Sequence, residues 1–152
     1  MAAYSFLDVS CTLSGPGGFV NLGNESGAAE EGITVEMAED KNTLTMGADG
    51  TPMHSLHAAK HGIIRVRLLK ISPRNAQLST MYGIQTVTSA LHGLNTLVVR
   101  DVSRGDFISA RSVAFKRHPN FAAAKTGNVL EWSFDAGYID MLLGDGVPAL
   151  TR

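Results

Sequence analysis

Gly32-Ile33-Thr34-Val35-Glu36-Met37 and, after an interval, Gly62-Ile63-Ile64-Arg65-Val66-Arg67-Leu68-Leu69-Lys70 alternate apolar and polar residues. Because successive side chains of a strand point to opposite faces, both stretches predict strands with one buried face. A short helix is predicted directly after the second strand, with Ser72 as its N-cap, Pro73 at its first position and Gly83 just past its end. Its apolar face would consist of Leu78, Met81 and Tyr82.

The segment between the two strands, at about residues 38–62, is polar and rich in turn-forming residues. Thr43 to Met46 could form a short strand, and Thr51 to Gly62 has the proline start and glycine stop of one or two helical turns. Long excursions in compact domains are usually functional or disordered. This one carries apolar residues that it would bury in a neighbouring subunit, namely Met46, Pro52, Met53 and Leu56.

The pattern of residues in the rest of the chain predicts further short strands separated by turns. They are Leu7 to Leu13, Phe19 to Leu22, Leu94 to Val102, Phe107 to Phe115 and Val129 to Tyr138. The pattern predicts a mainly β fold, a β-sandwich or barrel of about seven or eight strands with one flanking short α-helix. We expect a single domain over residues 1–152, with an extended loop at about 38–62 and a C-terminal tail at about 144–152.

Thirteen basic and 14 acidic residues are mixed along the 152-residue chain, which gives a formal charge of −1. This balance offers no basic patch with which to hold phosphate groups or an acidic membrane. Cys11 is the one cysteine, so an internal disulfide is excluded, and its alternating neighbours predict a buried position. Neither a transmembrane span nor a signal peptide is recognisable, so we expect a soluble protein made in the cytosol, without membrane insertion.

Three histidines, His54, His57 and His61, are the most suggestive candidates for a metal site. On a helix they would face within about 60° of one another, but the first and last would lie about 10 Å apart along the axis. Nitrogens bound to one zinc ion lie within about 4 Å of each other. His57 and His61 could share a metal, yet no further ligands are evident. A metal-dependent enzyme is therefore the third-ranked hypothesis, and we predict no metal and no cofactor.

No other motif predicts catalysis. Gly15-Pro16-Gly17-Gly18 follows a strand but lacks the third glycine and the helix of a nucleotide-binding loop, so a hairpin turn explains it better. The sequence has no nucleophile elbow of a serine hydrolase. Glu30-Glu31 and Glu39-Asp40 lie in predicted loops, where solvated charge is expected, and Arg104-Gly105-Asp106 reads as a turn between strands. We therefore predict that the protein is not an enzyme.

Several strings of residues resemble a family of bacteriophage structural proteins, the tail tube proteins of contractile-tailed phages. These strings cover nearly the whole chain. They are Tyr4-Ser5-Phe6-Leu7-Asp8-Val9, Ala29-Glu30-Glu31-Gly32-Ile33-Thr34-Val35, Glu39-Asp40-Lys41-Asn42-Thr43, Gly47-Ala48-Asp49-Gly50, Met53-His54-Ser55-Leu56-His57, Arg67-Leu68-Leu69-Lys70-Ile71-Ser72-Pro73-Arg74-Asn75-Ala76-Gln77-Leu78, Asn128-Val129-Leu130-Glu131-Trp132-Ser133-Phe134 and Gly144-Asp145-Gly146-Val147-Pro148.

The resemblance implies a fold similar to the tube subunits of type VI secretion systems and R-type bacteriocins. Six copies would form a ring whose sheets join around a lumen, and the rings would stack into a tube inside a contractile sheath. It also implies tail sheath, tape measure, baseplate and tail-terminator proteins as partners, and DNA that passes through the lumen without specific binding. The protein would lie in the virion tail and assemble in the host cytoplasm. The sequence does not decide which of Asp8, Glu36, Asp101, Asp135 and Asp140 face the lumen.

Contacts between subunits or rings are expected at the excursion and at two arginines of the second strand. Arg65 and Arg67 lie on the non-core face of that strand, where they would lie in water or pair with acids of a neighbouring subunit. The full set of predicted contact residues is Asp40, Lys41, Leu44, Met46, Asp49, Pro52, Met53, Leu56, Arg65 and Arg67.

Two alternative functions remain open at this point. One is the tube of a secretion-type or bacteriocin injection machine, because subunit chemistry does not say whether DNA passes. The other is a β-sandwich module that binds a carbohydrate or a host surface. Such a module should expose an aromatic platform, whereas most aromatic residues here fall on predicted core faces.

Overall fold

The computed structural model describes residues 4–23, 28–126 and 129–144, so residues 145–152 of the predicted tail lie outside the described residues. A 3-10 helix over Phe6–Asp8 comes first. The strands are β1 Val9–Gly15, β2 Gly18–Asn21, β3 Ala28–Met37, β4 Asn42–Met46, β5 Pro52–Leu56, β6 Gly62–Leu69, β7 Asn95–Asp101, β8 Asp106–Arg117 and β9 Val129–Leu142, and α1 is Arg74–Gln85.

Seven of the nine described strands form one antiparallel sheet in the order β2-β1-β7-β8-β9-β6-β3, and β4 pairs with β5 in a separate hairpin. The predicted mainly β fold with one flanking helix is confirmed. The structure has more strands than the seven or eight expected, because the excursion contains two of them. Among the described residues the sheet stays open, with β2 and β3 as its outer strands, rather than closing into a barrel within one chain.

The sheet bends at β8. Pairing between β7 and β8 ends at Val113, opposite Asn95, whereas β9 follows β8 to Arg117. Just before this point the register between β7 and β8 shifts, and Ser112 of β8 has a positive φ of 52°. These two features form a β-bulge that bends β8. Buried side chains from both sides of the bend belong to one core cluster. The two halves of the sheet therefore pack face to face.

The core consists of the alternating apolar side chains that the sequence predicts. Fully buried examples are Leu13, Ile64, Val66, Leu68, Leu97 and Phe134. Trp132 is buried as well, and its indole N–H donates a hydrogen bond to Asn75 Oδ1 at 3.0 Å. Cys11 lies in the same cluster, as predicted, and burial raises the pKa of its thiol to about 12. The thiol is therefore neutral and unreactive near neutral pH.

The ends of α1 differ from the sequence prediction. Its N-cap is Pro73, and Ser72 Oγ instead accepts a hydrogen bond from the Arg74 N–H at 3.3 Å. Gly83 does not end the helix, which continues through Gln85. The predicted apolar face is correct, because Leu78 and Met81 are buried and Tyr82 packs against the core.

A buried pair of amides explains why α1 continues past Gly83. The Gln85 and Asn95 side chains donate to each other at 2.7 and 2.6 Å, and Gln85 also donates to the Pro16 carbonyl at 2.8 Å. These bonds join the helix to β7 and to the turn between β1 and β2. Tertiary hydrogen bonds thus override the local stop signal of the glycine.

The second correction concerns Thr51 to Gly62, where helical turns were expected. Pro52–Leu56 is a strand instead, paired antiparallel with β4 so that Met46 lies opposite Pro52 and Leu44 opposite His54. Proline is compatible with the first position of a strand because no ladder hydrogen bond is lost there. Pro52 therefore marks the start of β5, and Gly62 marks the start of β6 after the connection between the two strands.

Replacing Gln85 with leucine is expected to lower the free energy of unfolding by about 1–3 kcal/mol, because the buried Asn95 amide would lose its partner. Urea unfolding of the unassembled chain measures the loss. Gln77→Leu makes the same change on the exposed side of α1, and this control should shift stability by less than about 0.5 kcal/mol. Equal losses in both variants would contradict the stabilising role of the amide pair.

Candidate functional site

The β4–β5 hairpin has an apolar face that is exposed in the single chain. Strand register places Leu44, Met46, Pro52 and Leu56 on this face, because directly paired residues share a side and alternate residues repeat it. The side chains of Leu44, Met46 and Leu56 are 53%, 55% and 82% exposed. An isolated two-stranded hairpin is marginally stable in water. The apolar face therefore favours a covering partner.

The other face of the hairpin is mostly polar. It carries Thr43, Thr45 and Ser55 together with the apolar Met53. His57 Nε2 lies 2.6 Å from Thr43 Oγ1 on this side.

The histidines contribute to cross-strand hydrogen bonds in the hairpin. On the apolar face the Asn42 amide hydrogen-bonds His54 Nδ1 at 3.2 Å, in addition to the bond of His57 described above. Among the residues that the structure describes, no group of three or more histidine, cysteine or acidic side chains is placed to hold a metal ion. The side chains of His54 and His57 therefore have a structural role in the hairpin.

Hydrogen bonds at its base join the hairpin to the sheet. The Ala38 N–H donates to the His61 carbonyl at 3.1 Å, and Lys41 Nζ donates to the Ala59 carbonyl at 3.2 Å. Lys60 forms an ion pair with Asp140 of β9 at 3.0 Å, and the pKa of Asp140 is lowered mainly by this lysine. The hairpin thus leaves the sheet from a fixed base, where the predicted contact residues Asp40 and Lys41 also lie.

The tip of the hairpin is a tight turn over residues 47–51. The Gly47 N–H donates to the Thr51 carbonyl at 2.8 Å, and Gly50 has a φ of +87°, which favours glycine. The Thr51 N–H donates to Asp49 Oδ1 at 3.0 Å, and this bond lowers the pKa of Asp49. Asp49, another predicted contact residue, therefore also organises the turn.

An apolar groove of about 350 Å³ opens at the end of the core from which the hairpin leaves. The predicted elements gave no indication of it, because it arises only when the two halves of the sheet meet. Its two carboxylates already have partners, since Asp101 binds Arg104 at 3.2 Å and Asp106 accepts from the Gly144 N–H at 2.8 Å. Its apolar lining includes Val9, Ile33, Val35, Val99, Ile108 and Met141.

The non-core face of β6 carries the two arginines singled out in the sequence, and both pair with acids of their own chain. Arg65 Nη1 lies 2.9 Å from Glu36 Oε2, and its Nε lies 3.8 Å from Glu131 Oε1. Arg67 Nε lies 2.7 Å from Glu131 Oε2. The acids come from β3 and β9, which flank β6. The alternation of residues in the sequence predicts that Glu36 and Glu131 lie on the non-core faces of their strands, but it does not predict that β6 pairs with β9.

Several stretches of backbone edge have no partner strand in the described part of the chain, and three of them lie at the two ends and at the bend of the seven-stranded sheet. β2, with four residues, ends the sheet on one side, and β3, with ten residues, ends it on the other. The third stretch is residues 114–117 of β8, because β7 stops pairing at Val113. Unpaired N–H and C=O groups of this kind are a template for pairing with another chain.

Residues 1–144 match the family model described as the Bacteriophage PhiTE tail tube protein. The chain belongs to this family of phage tail tube proteins. The resemblance noted in the sequence is thereby confirmed, and the family is one of structural proteins of the phage tail. No curated protein sequence matches the chain. None of the described helices is long and apolar enough to cross a membrane.

Solved structures with a similar fold come from contractile injection systems. A chain in the sheath–tube complex of an extracellular contractile injection system, PVC, in its extended state has a TM-score of 0.53 at 11% identity, over 88% of each chain. A chain in the baseplate of the anti-feeding prophage has a TM-score of 0.55 at 11% identity, over 93% of this tail tube protein and 96% of that chain. A chain in the tube-terminating cap of the anti-feeding prophage has a TM-score of 0.50 at 12% identity, over 88% of each. At these identities the likeness shows the fold.

The hydrogen bond from the Thr51 N–H lowers the pKa of Asp49. The carboxylate, and this bond with it, should therefore persist below the usual aspartate pKa of about 3.9. A lowered folded-state pKa means that the stabilisation is present above the unfolded-state pKa and is lost as pH falls through the lowered value. In NMR of the unassembled chain, the Thr51 amide proton should therefore titrate below about pH 3.9. Asp49→Asn should abolish this titration and Asp40→Asn should leave it intact. A Thr51 signal unaffected by Asp49→Asn would contradict the bond.

Proposed function

We propose that this chain is the repeating subunit of a phage tail tube, in which six copies form a ring and rings stack into a conduit inside a contractile sheath. The observation that carries this proposal is the β4–β5 hairpin, whose apolar face is exposed in the single chain. Membership of the tail tube family supports the same conclusion. The subunit acts by assembly and has no catalytic role.

Strand directions favour one way of closing the ring. All neighbouring strands of the seven-stranded sheet are antiparallel, so β3 runs opposite to β8, which is three strands away. Copies related by rotation about the ring axis keep the same orientation, so β3 of one copy would meet residues 114–117 of the next in antiparallel fashion. Joining β3 to β2, six strands away, would instead make a parallel pair over only four residues, which is less stable. We therefore propose the seam between β3 and the end of β8.

The hairpin provides a second contact, to an adjacent subunit or ring. Five-residue strands extend for about 17 Å at 3.4 Å per residue, which is long enough to cross onto a neighbouring copy. The apolar face would be buried there, since Leu44, Met46 and Leu56 are more than half exposed in the single chain. We propose that Asp40, Lys41, Leu44, Met46, Asp49, Pro52, Met53 and Leu56 form this contact. A contact of Arg65 and Arg67 with a neighbour stays a prediction.

The further partners are a sheath protein around the tube, baseplate and terminator proteins at its ends, and a tape measure protein within it during assembly. The similar solved structures support this arrangement, since they are chains of a sheath–tube complex, a baseplate and a tube-terminating cap. Assembly would take place in the host cytoplasm. The genome would then pass through the finished tube in the virion tail.

A tube of an injection machine that delivers protein instead of DNA is the second candidate. It is favoured by the similarity to chains of an extracellular contractile injection system and the anti-feeding prophage. The family match to a phage tail tube protein favours the hypothesis of a phage tail tube that delivers DNA. Detection of genomic DNA in particles that contain this chain would distinguish the two.

A carbohydrate-binding or host-binding module is less well supported. Five aromatic side chains are exposed, which is more exposed aromatic surface than the sequence predicted, namely Tyr4, Phe19, Phe107, Phe121 and Tyr138. They lie on different segments, and all of them except Phe19 are near a cation of their own chain. Negative-stain electron microscopy of the purified chain is decisive here, because annuli or rods are expected of a tube protein and a stable monomer would contradict it.

Leu44→Gln is expected to raise the protein concentration needed for tube assembly by about tenfold or more. Burial of a leucine side chain contributes about 1.5–3 kcal/mol, and 1.4 kcal/mol corresponds to a factor of ten. Thr45→Gln, which adds the same group on the polar face, is the matched control and should assemble like the parent. Deletion of Thr43 to Met53 should leave a folded subunit that does not polymerise. Sedimentation of long polymers from that deletion would contradict the role of the hairpin.

Amide hydrogen exchange tests the proposed seam. On assembly, exchange should slow in residues 32–37 of β3 and 114–117 of β8, because new interstrand hydrogen bonds form at both edges. Residues 18–21 of β2 provide an internal control and should keep their exchange rates. Protection at β2 without protection at residues 114–117 would show that the sheets join elsewhere.

A further inference from the structure

We propose that Arg117 of one copy binds Glu36 of a neighbouring copy across the seam between β3 and the end of β8. The inference rests on the proposed function and deepens it, because it names the charged pair by which the two edges recognise each other. Assembly of the ring would then depend on the salt concentration and on the sign of these two charges.

A β-bulge at the end of β8 turns Arg117 to the non-core face of the sheet. Phe115 lies opposite Phe134 on the core face, whereas Arg117 lies opposite Ser133. Because side chains alternate along a strand, residues 115 and 117 would share the core face in a regular ladder. The extra residue, Lys116, prevents this, and bulges commonly redirect a side chain in this way. Arg117 is exposed, and in the described part of the chain it forms no ion pair.

A row of ion pairs crosses the other three strands of this half of the sheet and ends on an acid at the open edge. Glu131 of β9 contacts Arg65 of β6 at 3.8 Å, and Arg65 contacts Glu36 of β3 at 2.9 Å. The signs alternate from strand to strand, and Glu36 comes last because β3 is an outer strand of the sheet. A cation on the following strand would continue the alternation. The end of β8 in the neighbouring copy supplies one, Arg117.

Glu36 is able to accept a second cation. Its side chain is 62% exposed, and the two oxygens of a carboxylate can accept from different guanidinium groups. Glu131 already binds in this way, since its Oε1 lies 3.8 Å from Arg65 and its Oε2 lies 2.7 Å from Arg67. Glu36 can therefore bind Arg65 of its own chain and Arg117 of the neighbouring copy at the same time.

The alternation of side chains limits how the two edges can meet. Four residues lie in one line across β8, β9, β6 and β3, namely Arg117, Ser133, Arg65 and Thr34. If the core faces of neighbouring copies lie on one side of the joined sheet, Arg117 lies on the same face as Thr34 and Glu36 of the neighbour. Long side chains reach both directly opposite and diagonal neighbours. The pair therefore forms whether Arg117 lies opposite Thr34, Glu36 or Ala38.

The first experiment measures the protein concentration needed for assembly. Arg117→Glu should raise this concentration by about tenfold or more, because a glutamate would then face Glu36 and like charges across a strand pair repel each other. In the Glu36→Gln background the same change should raise it by no more than about threefold, because the two residues no longer interact. The difference between the backgrounds should shrink at high salt, which screens exposed charges.

Lys125→Glu is the matched control, because it makes the same change in charge at an exposed residue outside the seam. It should raise the assembly concentration by no more than about twofold. Arg117→Gln, which removes the charge without reversing it, should act in the same direction as Arg117→Glu and should also lose its effect in the Glu36→Gln background. Equal effects of Arg117→Glu in both backgrounds, or equal effects of Arg117→Glu and Lys125→Glu, would overturn the ion pair.

The second experiment tests which residues meet at the seam. Three double variants combine Arg117→Cys with Thr34→Cys, Glu36→Cys or Ala38→Cys, one for each register. After oxidation of assembled tubes, at least one of them should give covalent multimers, because a disulfide forms when the Cβ atoms lie within about 4.5 Å. Cys11 is buried and takes no part in this reaction.

Arg117→Cys combined with Ser10→Cys is the control for the cross-links, because Ser10 lies on the exposed face of β1, outside the seam. This variant should stay unlinked. Tubes in which none of the three pairs forms a disulfide, or in which the control links equally well, would overturn the pair and leave the tube function standing. Absence of any annular or tubular assembly of the parent chain would overturn the proposed function itself.

Discussion

The alternation of side chains along β6 is the constraint on which the rest of the structure depends. Ile64, Val66 and Leu68 are fully buried, while Arg65 and Arg67 between them cannot enter the core without losing their hydration. A shift of one residue in register would exchange the two sets, so the pairing of β6 with β3 and β9 is strongly specified. The same alternation that builds the core therefore also fixes a charged surface on the other side of the sheet.

Sequence reasoning recovers the parts of the fold that follow from local periodicity. The core faces of β1, β6 and β9 and the apolar face of α1 are set by residues a few positions apart. The predictions for Gly83 and for the segment from Thr51 to Gly62 are wrong, because their local signals compete with tertiary hydrogen bonds at the first and with hairpin pairing at the second. Gln85 is held in the helix by Asn95 and Pro16, and Pro52 is held in a strand by pairing with β4. The first contact is not visible in the residues around Gly83, whereas the second lies across a tight turn, and a proline followed by a glycine fits a strand there as well as a helix.

The candidate site likewise has one part that the local sequence predicts and another part that it does not. Leu44, Met46, Pro52 and Leu56 were recognised as apolar residues in a polar excursion, and strand pairing then places them on one face. The pairing of Glu131 with Arg65 and Arg67 is not predictable from the sequence, because it depends on β9 returning beside β6 after about sixty residues. The partial edge at the end of β8 likewise depends on where β7 stops pairing. Long-range strand order decides both features.

Ion pairs on an exposed strand face contribute little to stability, about 0–1 kcal/mol each. Their value in this protein is better explained by specificity. Arg65 contacts acids on both neighbouring strands, so it joins β3, β6 and β9 in a single register, and small neutral residues would not provide this. Pairing acids with Arg65 and Arg67 within one chain therefore defines the register of this half of the sheet.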